Sequence, residues 1–530
     1  MIYPNIMVIF YLEQTYCFLS KRILMKKILA ILVIFGAATQ AKAQTINDVL
    51  RYGSENLQGT ARYQSMSGAF GALGGDLSAL NTNPAGSAVF TNGSLTISGT
   101  SYNTKNKTNY FGGRTSTDVS DFDLNQLGGV LVFHNTKNNA GWRKFSLAFN
   151  FEKANNFENE FLAAGHGDTS IDQYFLTFSQ GVPLGVLGVG SNEVIEEAYL
   201  NIFSDPNLGF VPQQAFLGYQ AYITDPVQDI NSNTEYVSNV NYNTVSQRFL
   251  QSTSGYNNKF TVNFAGQYLE DFYLGASLNF HDVRYEKYTQ LDEDGYGPGS
   301  NLEYINFDNL LRTDGNGFSF SLGGIARVGE MVRVGLTYQS PTWYRLTDEL
   351  SQRIITDQAL EQNPDIEFIN FNLVSVFPDH KIQIPAKYTG SMAVVFGKQG
   401  LISLDYSYQD MSNAKLKPTS NPDFAAENDY MSDVLQAVST VRLGGEYRIR
   451  QFSLRAGYLY EQSPYDNDMM GDLNGYSFGL GYDFGAARLD AAFNQFMRDY
   501  KSQLYETGLT SAADIENRNT NVTLSLTFNL

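Results

Sequence analysis

The sequence predicts an all-β protein: a 14-stranded antiparallel transmembrane β-barrel whose lumen holds an N-terminal segment. Three observations predict this fold class. The C-terminus alternates apolar and polar residues, tight turns alternate with long loops, and the chain begins with a secretion signal. Aromatic residues make up 14% of the 530 residues, 47 residues are glycine, and the mean hydropathy is -0.26. This composition is typical of strands that face lipid on one side and water on the other.

The N-terminus has the layout of a secretory signal peptide. Lys26 and Lys27 precede an apolar run at residues 28–38, and an Ala-x-Ala cleavage site follows at residues 41–43. The run of about 11 residues is too short for a membrane helix, which needs roughly 20. We therefore predict an upstream extension and signal peptide at residues 1–43.

The cysteine content and the net charge exclude several classes of function. The only cysteine, Cys17, lies within residues 1–24, which are either an over-extended translation start or a real extension. A mature chain without cysteine has no disulfide and no thiolate metal site. Removing residues 1–43 takes away five Lys or Arg residues and one Glu, which changes the net charge from -18 to -22. Such an acidic protein is a poor candidate for nucleic-acid binding.

The chain from residue 93 to residue 530 is predicted to form the barrel, with tight turns and long loops in alternation. We predict tight turns near residues 136–141, 269–271, 329–330, 398–399, 450 and 486. The predicted strands are 93–104, 122–135, 142–155, 255–268, 272–288, 315–328, 331–347, 381–397, 400–410, 434–449, 451–463, 473–485, 487–501 and 518–530. An even count with short turns at one end is the outer-membrane pattern, with both termini in the periplasm. A further alternating run at 241–255 leaves open one extra hairpin.

Alternation also assigns the two faces of each strand. In the predicted strand 451–463, Phe452 and Leu454 should face lipid, whereas Arg455 should face the lumen. The same parity puts further charged residues in the lumen: Arg333, Asp405, Arg442, Glu446, Arg448 and Asp483. Arg or Lys on the lipid face at mid-membrane costs roughly 2 to 4 kcal/mol. These charges either form salt bridges that fill the lumen or have a role in selectivity.

The last predicted strand closes the barrel. Val522, Leu524, Leu526, Phe528 and Leu530 alternate with small polar residues up to the C-terminus. We expect this strand to pair with residues 93–104, and the barrel-assembly machinery to recognise Phe528. Outer-membrane lipid and lipopolysaccharide are the surroundings that this predicted location implies.

Residues 44–92 lie between the signal and the first strand and do not alternate. Small residues dominate from residue 61 to residue 89. Glycines permit close backbone approach, and Pro84 disfavours helix at Asn83. These features predict a compact, irregular segment packed in a confined space, and the barrel interior is such a space.

The segment resembles a known family. The segment looks like the N-terminal hatch of the FadL/OMPP1/TodX outer-membrane transporters of hydrophobic compounds. The resemblance rests on residues 68–75, on residues 76–80 and on the triplet Asn83, Pro84 and Ala85, all of which precede a 14-stranded pattern. The resemblance implies a monomeric barrel whose hatch blocks the lumen. It also implies that extracellular loops capture a hydrophobic ligand, and that hatch movement and wall opening release this ligand sideways into the membrane.

The hatch residues Asn83, Pro84, Ala85 and Gly86 have two interpretations, which are compatible with each other. They form a turn that leads from the hatch to the first strand, or they take part in gating. An asparagine can satisfy buried backbone groups where proline removes a donor, which would suit a non-helical segment inside a barrel.

The largest loop, residues 156–254, exceeds ordinary loop lengths and is expected to be functional or separately folded. Helical spacing predicts one amphipathic helix at 193–203 and a second that begins at Pro212. The candidate ligand-binding residues on these helices are Ile195, Tyr199, Phe203, Phe216 and Tyr219. They collect a lipophilic ligand or merely pack on each other as the core of a lid. Residues 348–380 form a second candidate loop.

The sequence offers no convincing catalytic motif. The four histidines are dispersed, and the Gly475-x-Ser477-x-Gly479 match lies inside an alternating strand, not at a strand-to-helix turn. We therefore expect no enzyme, no cofactor and no metal. The leading hypothesis is passive uptake of long-chain fatty acids or aromatic hydrocarbons across the outer membrane. The alternative is a barrel of the same family that acts as a scaffold for protein secretion or surface attachment.

Overall fold

The computed structural model describes residues 45–136 and 141–530; the predicted signal peptide and part of the first tight turn lie outside them. The strands are β1 Ser94–Tyr110, β2 Gly113–His134, β3 Trp142–Asn156, β4 Asn159–Gly167, β5 Thr224–Pro226, β6 Tyr236–Ser238, β7 Val245–Tyr268, β8 Phe272–Asp294, β9 Tyr304–Val328, β10 Val332–Gln339, β11 Thr342–Thr356, β12 Ser375–Val376, β13 His380–Ile384, β14 Lys387–Phe396, β15 Gly400–Asp410, β16 Lys415–Lys417, β17 Ala437–Ile449, β18 Phe452–Glu461, β19 Leu473–Asp483, β20 Ala487–Gln503 and β21 Ala512–Asn529. The α-helices are α1 Ile46–Gly53, α2 Ala61–Gln64, α3 Asp172–Ser179, α4 Ile195–Ser204, α5 Phe210–Gln220, α6 Asp357–Gln362 and α7 Pro422–Val434.

All strands except β5 and β6 belong to one closed antiparallel sheet. The sheet closes because β1 pairs with β2 on one side and with β21 on the other. Some strands follow each other in the same wall position: β4 continues β3, β11 continues β10, β12 and β13 lead into β14, and β16 continues β15. The described residues therefore form a wall of fourteen strands, as predicted. Among the described residues, no helix is long and apolar enough to cross a membrane.

Several strands extend beyond their predicted ends on the side of the long loops. The expected loop at residues 105–121 is wrong: β1 and β2 continue as a hairpin that ends in the two-residue turn of Phe111 and Gly112, both with positive φ. β7 likewise begins at Val245, so the run at 241–255 lengthens an existing strand and adds no hairpin. Outside the membrane both faces are polar, which removes the alternation that marks a strand.

The lipid-facing surface is apolar and the lumen face is polar, as the alternation predicts. On β18, Phe452 and Leu454 are 57% and 45% exposed, whereas Arg455 is 4% exposed. Exposed apolar side chains on the outer face are what a lipid environment requires, because lipid covers them.

Three neighbouring wall strands are interrupted at a similar height. The breaks are residues 340–341 between β10 and β11, residues 385–386 between β13 and β14, and residues 411–414 between β15 and β16. Pro341 and Pro385 cannot donate a backbone hydrogen bond. Side chains bridge the gaps instead, since Ser340 Oγ accepts from Phe320 N at 2.9 Å. We call this region the interrupted wall.

Candidate functional site

Residues 45–92, the hatch, lie inside the barrel and are held by hydrogen bonds to strands around its circumference. These bonds join Ala61 N to Ser525 Oγ (2.6 Å), Ser67 N to Ser477 Oγ (3.1 Å), Gly71 N to Asp405 Oδ2 (3.0 Å), Asn83 Nδ2 to Gly324 O (3.1 Å) and Ser87 Oγ to Ser146 Oγ (2.9 Å). The partners lie on β21, β19, β15, β9 and β3. Ser477, the serine of the Gly-x-Ser-x-Gly match, is fully buried and anchors the hatch.

Asn83 is the central polar residue of the predicted triplet and is fully buried. Its Oδ1 accepts from Ala85 N at 3.0 Å, which caps the 3₁₀ turn Pro84–Val89. Its Nδ2 donates to Gly71 O at 2.7 Å within the hatch as well as to the wall. One side chain therefore satisfies backbone groups in two hatch segments and one strand. The structure brings Asn83, Pro84, Ala85 and Gly86 together in a single buried turn.

Glycines in the wall let the hatch backbone approach the strands closely. A Cβ atom on Gly335 would lie 2.2 Å from Gly71 O, and one on Gly275 would lie 2.4 Å from Pro84 O. A Cβ atom is never found at such distances, so any larger residue would displace the hatch. Sequence reasoning missed these contacts, although a glycine at a lumen-facing strand position is a recognisable sign of close backbone approach.

A buried ion cluster joins the hatch to the wall. Arg62 Nε in the hatch donates to Glu446 Oε2 at 3.0 Å, and Arg455 Nε donates to the same oxygen at 2.6 Å. Arg455 Nη1 also donates to Asp490 Oδ1 at 2.8 Å. Charges taken out of water need such partners. Glu446 was predicted to face the lumen; its partner in the hatch was not predicted.

Glu55 forms a second ionic connection. Its carboxylate lies 3.3 Å from Lys259 Nζ and 3.5 Å from Lys387 Nζ. Burial alone would raise the pKa of Glu55, but the two ammonium groups outweigh burial and hold this pKa well below its usual range. The polar cavity beside it measures about 40 Å³, which is room for about three water molecules and far too little for a lipid.

The lumen also contains an apolar core around the first hatch helix, which we call the upper chamber. Its buried side chains are Ile46, Val49, Tyr52, Val283, Tyr344, Leu346, Ile382, Ile384, Met411, Ala414, Leu416, Phe424, Met431, Leu435, Val438 and Tyr465. Wall strands contribute seven of these sixteen side chains, and helix α7 contributes Phe424 and Met431. The first three belong to α1, so a helix of the hatch packs into this chamber.

Helix α1 is amphipathic and begins with a capping box. Thr45 Oγ1 accepts from Asn47 N, and the Asp48 carboxylate accepts from Thr45 N at 2.9 Å. Ile46, Val49 and Tyr52 form its buried face, while Asn47 is exposed. The apolar chamber and the hatch helix that packs in it are the features of the lumen best suited to a hydrophobic ligand.

Comparison with known protein families agrees with this geometry. Residues 230–530, more than half of the chain, match the model of the outer membrane protein transport protein family (OMPP1/FadL/TodX). The chain belongs to the OMPP1/FadL/TodX family. It is therefore an outer-membrane β-barrel of a transport family. Residues 32–116 also match an uncharacterised family, UPF0164.

Several solved structures are similar to this OMPP1/FadL/TodX member, and the first of them, with a TM-score above 0.5, shares its fold. A FadL homologue from Pseudomonas aeruginosa has 14% sequence identity and a TM-score of 0.52, covering 90% of this chain and 99% of the other. The Pseudomonas putida toluene transporter TodX has 13% identity and a TM-score of 0.46, covering 90% and 100%. The monoaromatic hydrocarbon channel CymD has 13% identity and a TM-score of 0.46, covering 90% and 99%. A comparison with curated proteins finds no significant match.

In this family member, the loop after β4 folds into helices α3, α4 and α5. The predicted candidates lie on two of them: Ile195, Tyr199 and Phe203 on α4, and Phe216 and Tyr219 on α5. Tyr199 and Phe216 are fully buried, and Ile195 is 4% exposed. Phe203 and Tyr219 are half-buried. This packing is what a lid core requires, and ligand binding by these residues stays a prediction.

The lid helices also contact the wall. Tyr199 Oη donates to Gln352 Oε1 on β11 at 3.0 Å, and the ring of Phe203 meets Phe377 at 5.1 Å between centroids. Helix α3 was not predicted from the sequence. Within the described part of the chain, no group of three or more His, Cys, Asp or Glu residues is placed to hold a metal ion.

Proposed function

We propose that this chain takes up hydrophobic small molecules, such as long-chain fatty acids or aromatic hydrocarbons, across the outer membrane. The observation that carries the proposal is the upper chamber, an apolar space filled by Ile46, Val49 and Tyr52 of α1. Burying a large apolar side chain is worth about 1.5 to 3 kcal/mol. A hydrophobic ligand that takes the place of these side chains restores the same apolar contacts, so the exchange costs little.

Capture is assigned to the loop helices. Phe203 and Tyr219 are the candidate residues that remain half-exposed on α4 and α5, where a ligand arriving from outside would first meet the lid. The relatives named above as a toluene transporter and a monoaromatic hydrocarbon channel suggest the aromatic class as one to test. The capture surface would be supported by the buried candidate residues Ile195, Tyr199 and Phe216, which pack beneath it.

Movement of the hatch is assigned to the turn at Asn83, Pro84, Ala85 and Gly86. Asn83 links Gly71 of the hatch to Gly324 of β9, so rotation of this one side chain releases both contacts. Pro84 O accepts from Asn263 Nδ2 at 2.9 Å, which holds the turn against β7. The turn thus connects the part of the hatch that can move to the part continuous with β1.

Release is assigned to the interrupted wall. Tyr344, Ile382 and Met411 of the upper chamber come from the strands that are interrupted there. Backbone pairing is weakest at the breaks, where Gln409 Nε2 donates to Pro385 O at 2.8 Å in place of a ladder bond. A ligand in the chamber therefore lies against the part of the wall that separates most readily, and would leave sideways into the membrane.

Uptake of labelled long-chain fatty acid and labelled toluene tests the function directly. Cells with the protein should accumulate at least one of the two compounds faster than cells without it. Equal uptake of both compounds, together with co-purification of a partner protein, would reject transport in favour of the scaffold alternative.

The hatch is tested by ion conductance in planar bilayers. Deleting residues 44–88 should open a conductance, because the remaining lumen face is polar. Gly335→Ala should open a smaller conductance, because its Cβ would meet Gly71 O at 2.2 Å. Gly390→Ala is the matched control: it lies on the adjacent strand, and the nearest atom to its Cβ is Leu336 Cδ2 at 4.0 Å. Unchanged conductance after the deletion would mean that this segment does not close the lumen.

A further inference from the structure

A row of cationic side chains lies on the outer surface of the barrel. Arg345 on β11 is directly opposite Lys381 on β13, and Lys381 is directly opposite Lys417 on β16. Like charges in direct cross-strand register destabilise a sheet. Lys415, two residues before Lys417, lies on the same face of β16. Three strands thus place cations side by side in a chain whose net charge is -18.

Protein groups neutralise only one end of this row. Arg345 donates to Asp379 Oδ2 from Nε at 3.0 Å and from Nη2 at 2.7 Å. Lys417 Nζ donates to the neutral Oε1 of Gln383 at 2.6 Å. Lys381 is exposed and has no ion pair with any described residue. Two neighbouring ammonium groups therefore lack a counter-charge.

An apolar groove of about 660 Å³ adjoins the cationic row. Its apolar side is lined by Phe280, Phe318 and Trp343, and its other side by Arg345, Lys381 and Lys417. Tyr344 and Ile382 of the upper chamber also line it, so the groove adjoins the interrupted wall. The three aromatic residues are 46%, 36% and 40% exposed on the lipid-facing surface. A groove with an aromatic side and a cationic side fits an anionic amphiphile.

The groove lies at the outer boundary of the membrane. Outward residues of β8 are apolar from Phe272 to Phe280, and the next outward residue is Asp282. On β9 the same change occurs between Phe318 and Asn316. The charged residues lie toward the end of the barrel that carries the long loops, which is the extracellular end. The cations are therefore level with the headgroups of the outer leaflet.

We propose that this groove binds a phosphorylated glycolipid of the outer leaflet, of the lipopolysaccharide class. A phosphate contacts Lys381 and Lys417, and an acyl chain lies against Phe318 and Trp343. Two adjacent ammonium groups balance the nearly double negative charge of one phosphate group, which is the counter-charge that the cross-strand lysines lack. The two lysines and the aromatic residues of this site face the outside of the wall.

Fluorescence of Trp343 provides a direct readout. The chain has two tryptophans, so Trp142→Phe leaves Trp343 as the only one. The purified barrel in this background is reconstituted into phosphatidylcholine vesicles with increasing fractions of bisphosphorylated lipid A. Parallel series contain dephosphorylated lipid A or phosphatidylglycerol. Heat-modifiable mobility on gels verifies that each variant is folded.

Lys381→Gln with Lys417→Gln is the test variant, and Lys105→Gln with Lys107→Gln is the matched control. The control removes two exposed lysines from the extracellular end of β1. We expect lipid A to shift Trp343 emission, and the lipid A fraction needed for half the shift to rise about tenfold in the test variant only. With the parent protein, the fraction of dephosphorylated lipid A needed for half of the shift should also be about tenfold higher than that of lipid A.

The outcomes separate the possible ligands. If the test variant needs the same lipid A fraction for half of the emission shift as the parent, the proposal is overturned. It is also overturned if phosphatidylglycerol shifts the emission at fractions as low as those of lipid A. The absence of any emission shift with lipid A in the folded Trp142→Phe background would also overturn it. Since the measurement uses no transported ligand, its result is independent of whether the chain takes up hydrophobic compounds.

Discussion

At the scale of single residues, the hatch is held to the wall by buried charged side chains. Glu446 is the centre of the largest cluster, since Arg62, Arg448 and Arg455 all donate to its carboxylate. Removing a shared acceptor leaves several cations without a partner, whereas removing one donor leaves the other donors paired. The cluster therefore depends more on Glu446 than on any one arginine.

Glu446→Ala should lower the free energy of unfolding by about 3 to 5 kcal/mol, because Arg62 and Arg455 remain buried without their shared carboxylate. Arg62→Ala should cost less, about 1.5 to 3 kcal/mol, the range for a hydrogen bond to a charged group. Urea unfolding in detergent, followed by tryptophan fluorescence, gives both values. Equal costs for the two substitutions would contradict the central role of Glu446.

At the scale of elements, the membrane determines what could be predicted from the sequence. β15 has its predicted bounds, Gly400–Asp410, because Ile402, Leu404 and Tyr406 must alternate toward lipid. β1 was predicted too short, because its outer half, from Asn103 to Tyr110, is polar on both faces. Water on both sides removes the pattern on which the prediction depends.

The candidate site was predictable only in part. Residues 44–92 were identified from their small residues, and the triplet at Asn83 from its resemblance to a known hatch. The contacts that hold the hatch join residues hundreds of positions apart, such as Arg62 and Glu446. The chamber around α1 is assembled in the same way, from strands and a helix between Val283 and Tyr465. No local periodicity encodes such contacts.

Helix α1 provides a test of the proposed exchange between hatch and ligand. The only cysteine is Cys17, upstream of the predicted cleavage site, so Val49→Cys introduces a single thiol into the mature chain. Val49 is fully buried in the chamber, and a docked helix should protect the thiol from a membrane-impermeant maleimide. Adding a ligand that displaces the helix should increase the rate of labelling at least severalfold.

Asn47→Cys is the matched control, because Asn47 is exposed on the opposite face of the same helix. Its thiol should react quickly with or without ligand. Protection of Val49→Cys that persists at saturating ligand would mean that α1 stays docked, and the ligand would then have to bind elsewhere in the barrel.

At the scale of the whole molecule, the barrel is stable in lipid only when its sheet is closed. β21 supplies this closure, with pairs from Ser94 and Asn529 to Asn109 and Asp514. Lipid offers no hydrogen-bonding partner, so each unpaired backbone group at an open edge costs several kcal/mol. The hatch depends on closure as well, because Ser525 on β21 accepts from Ala61 N.

Deleting residues 522–530 should therefore prevent assembly, because β1 loses its partners from Ser94 to Ser101 and two strand edges face lipid. Phe528→Ala keeps every backbone pair and removes one side chain that is 39% exposed to lipid. If Phe528 serves only as a lipid-facing side chain, this variant should assemble normally. If the assembly machinery recognises Phe528, the yield of barrel should fall, while the protein that does assemble should stay as stable as the parent. Outer-membrane yield, measured together with heat-modifiable mobility, separates these two results. For the deletion variant, a folded barrel would contradict closure by β21.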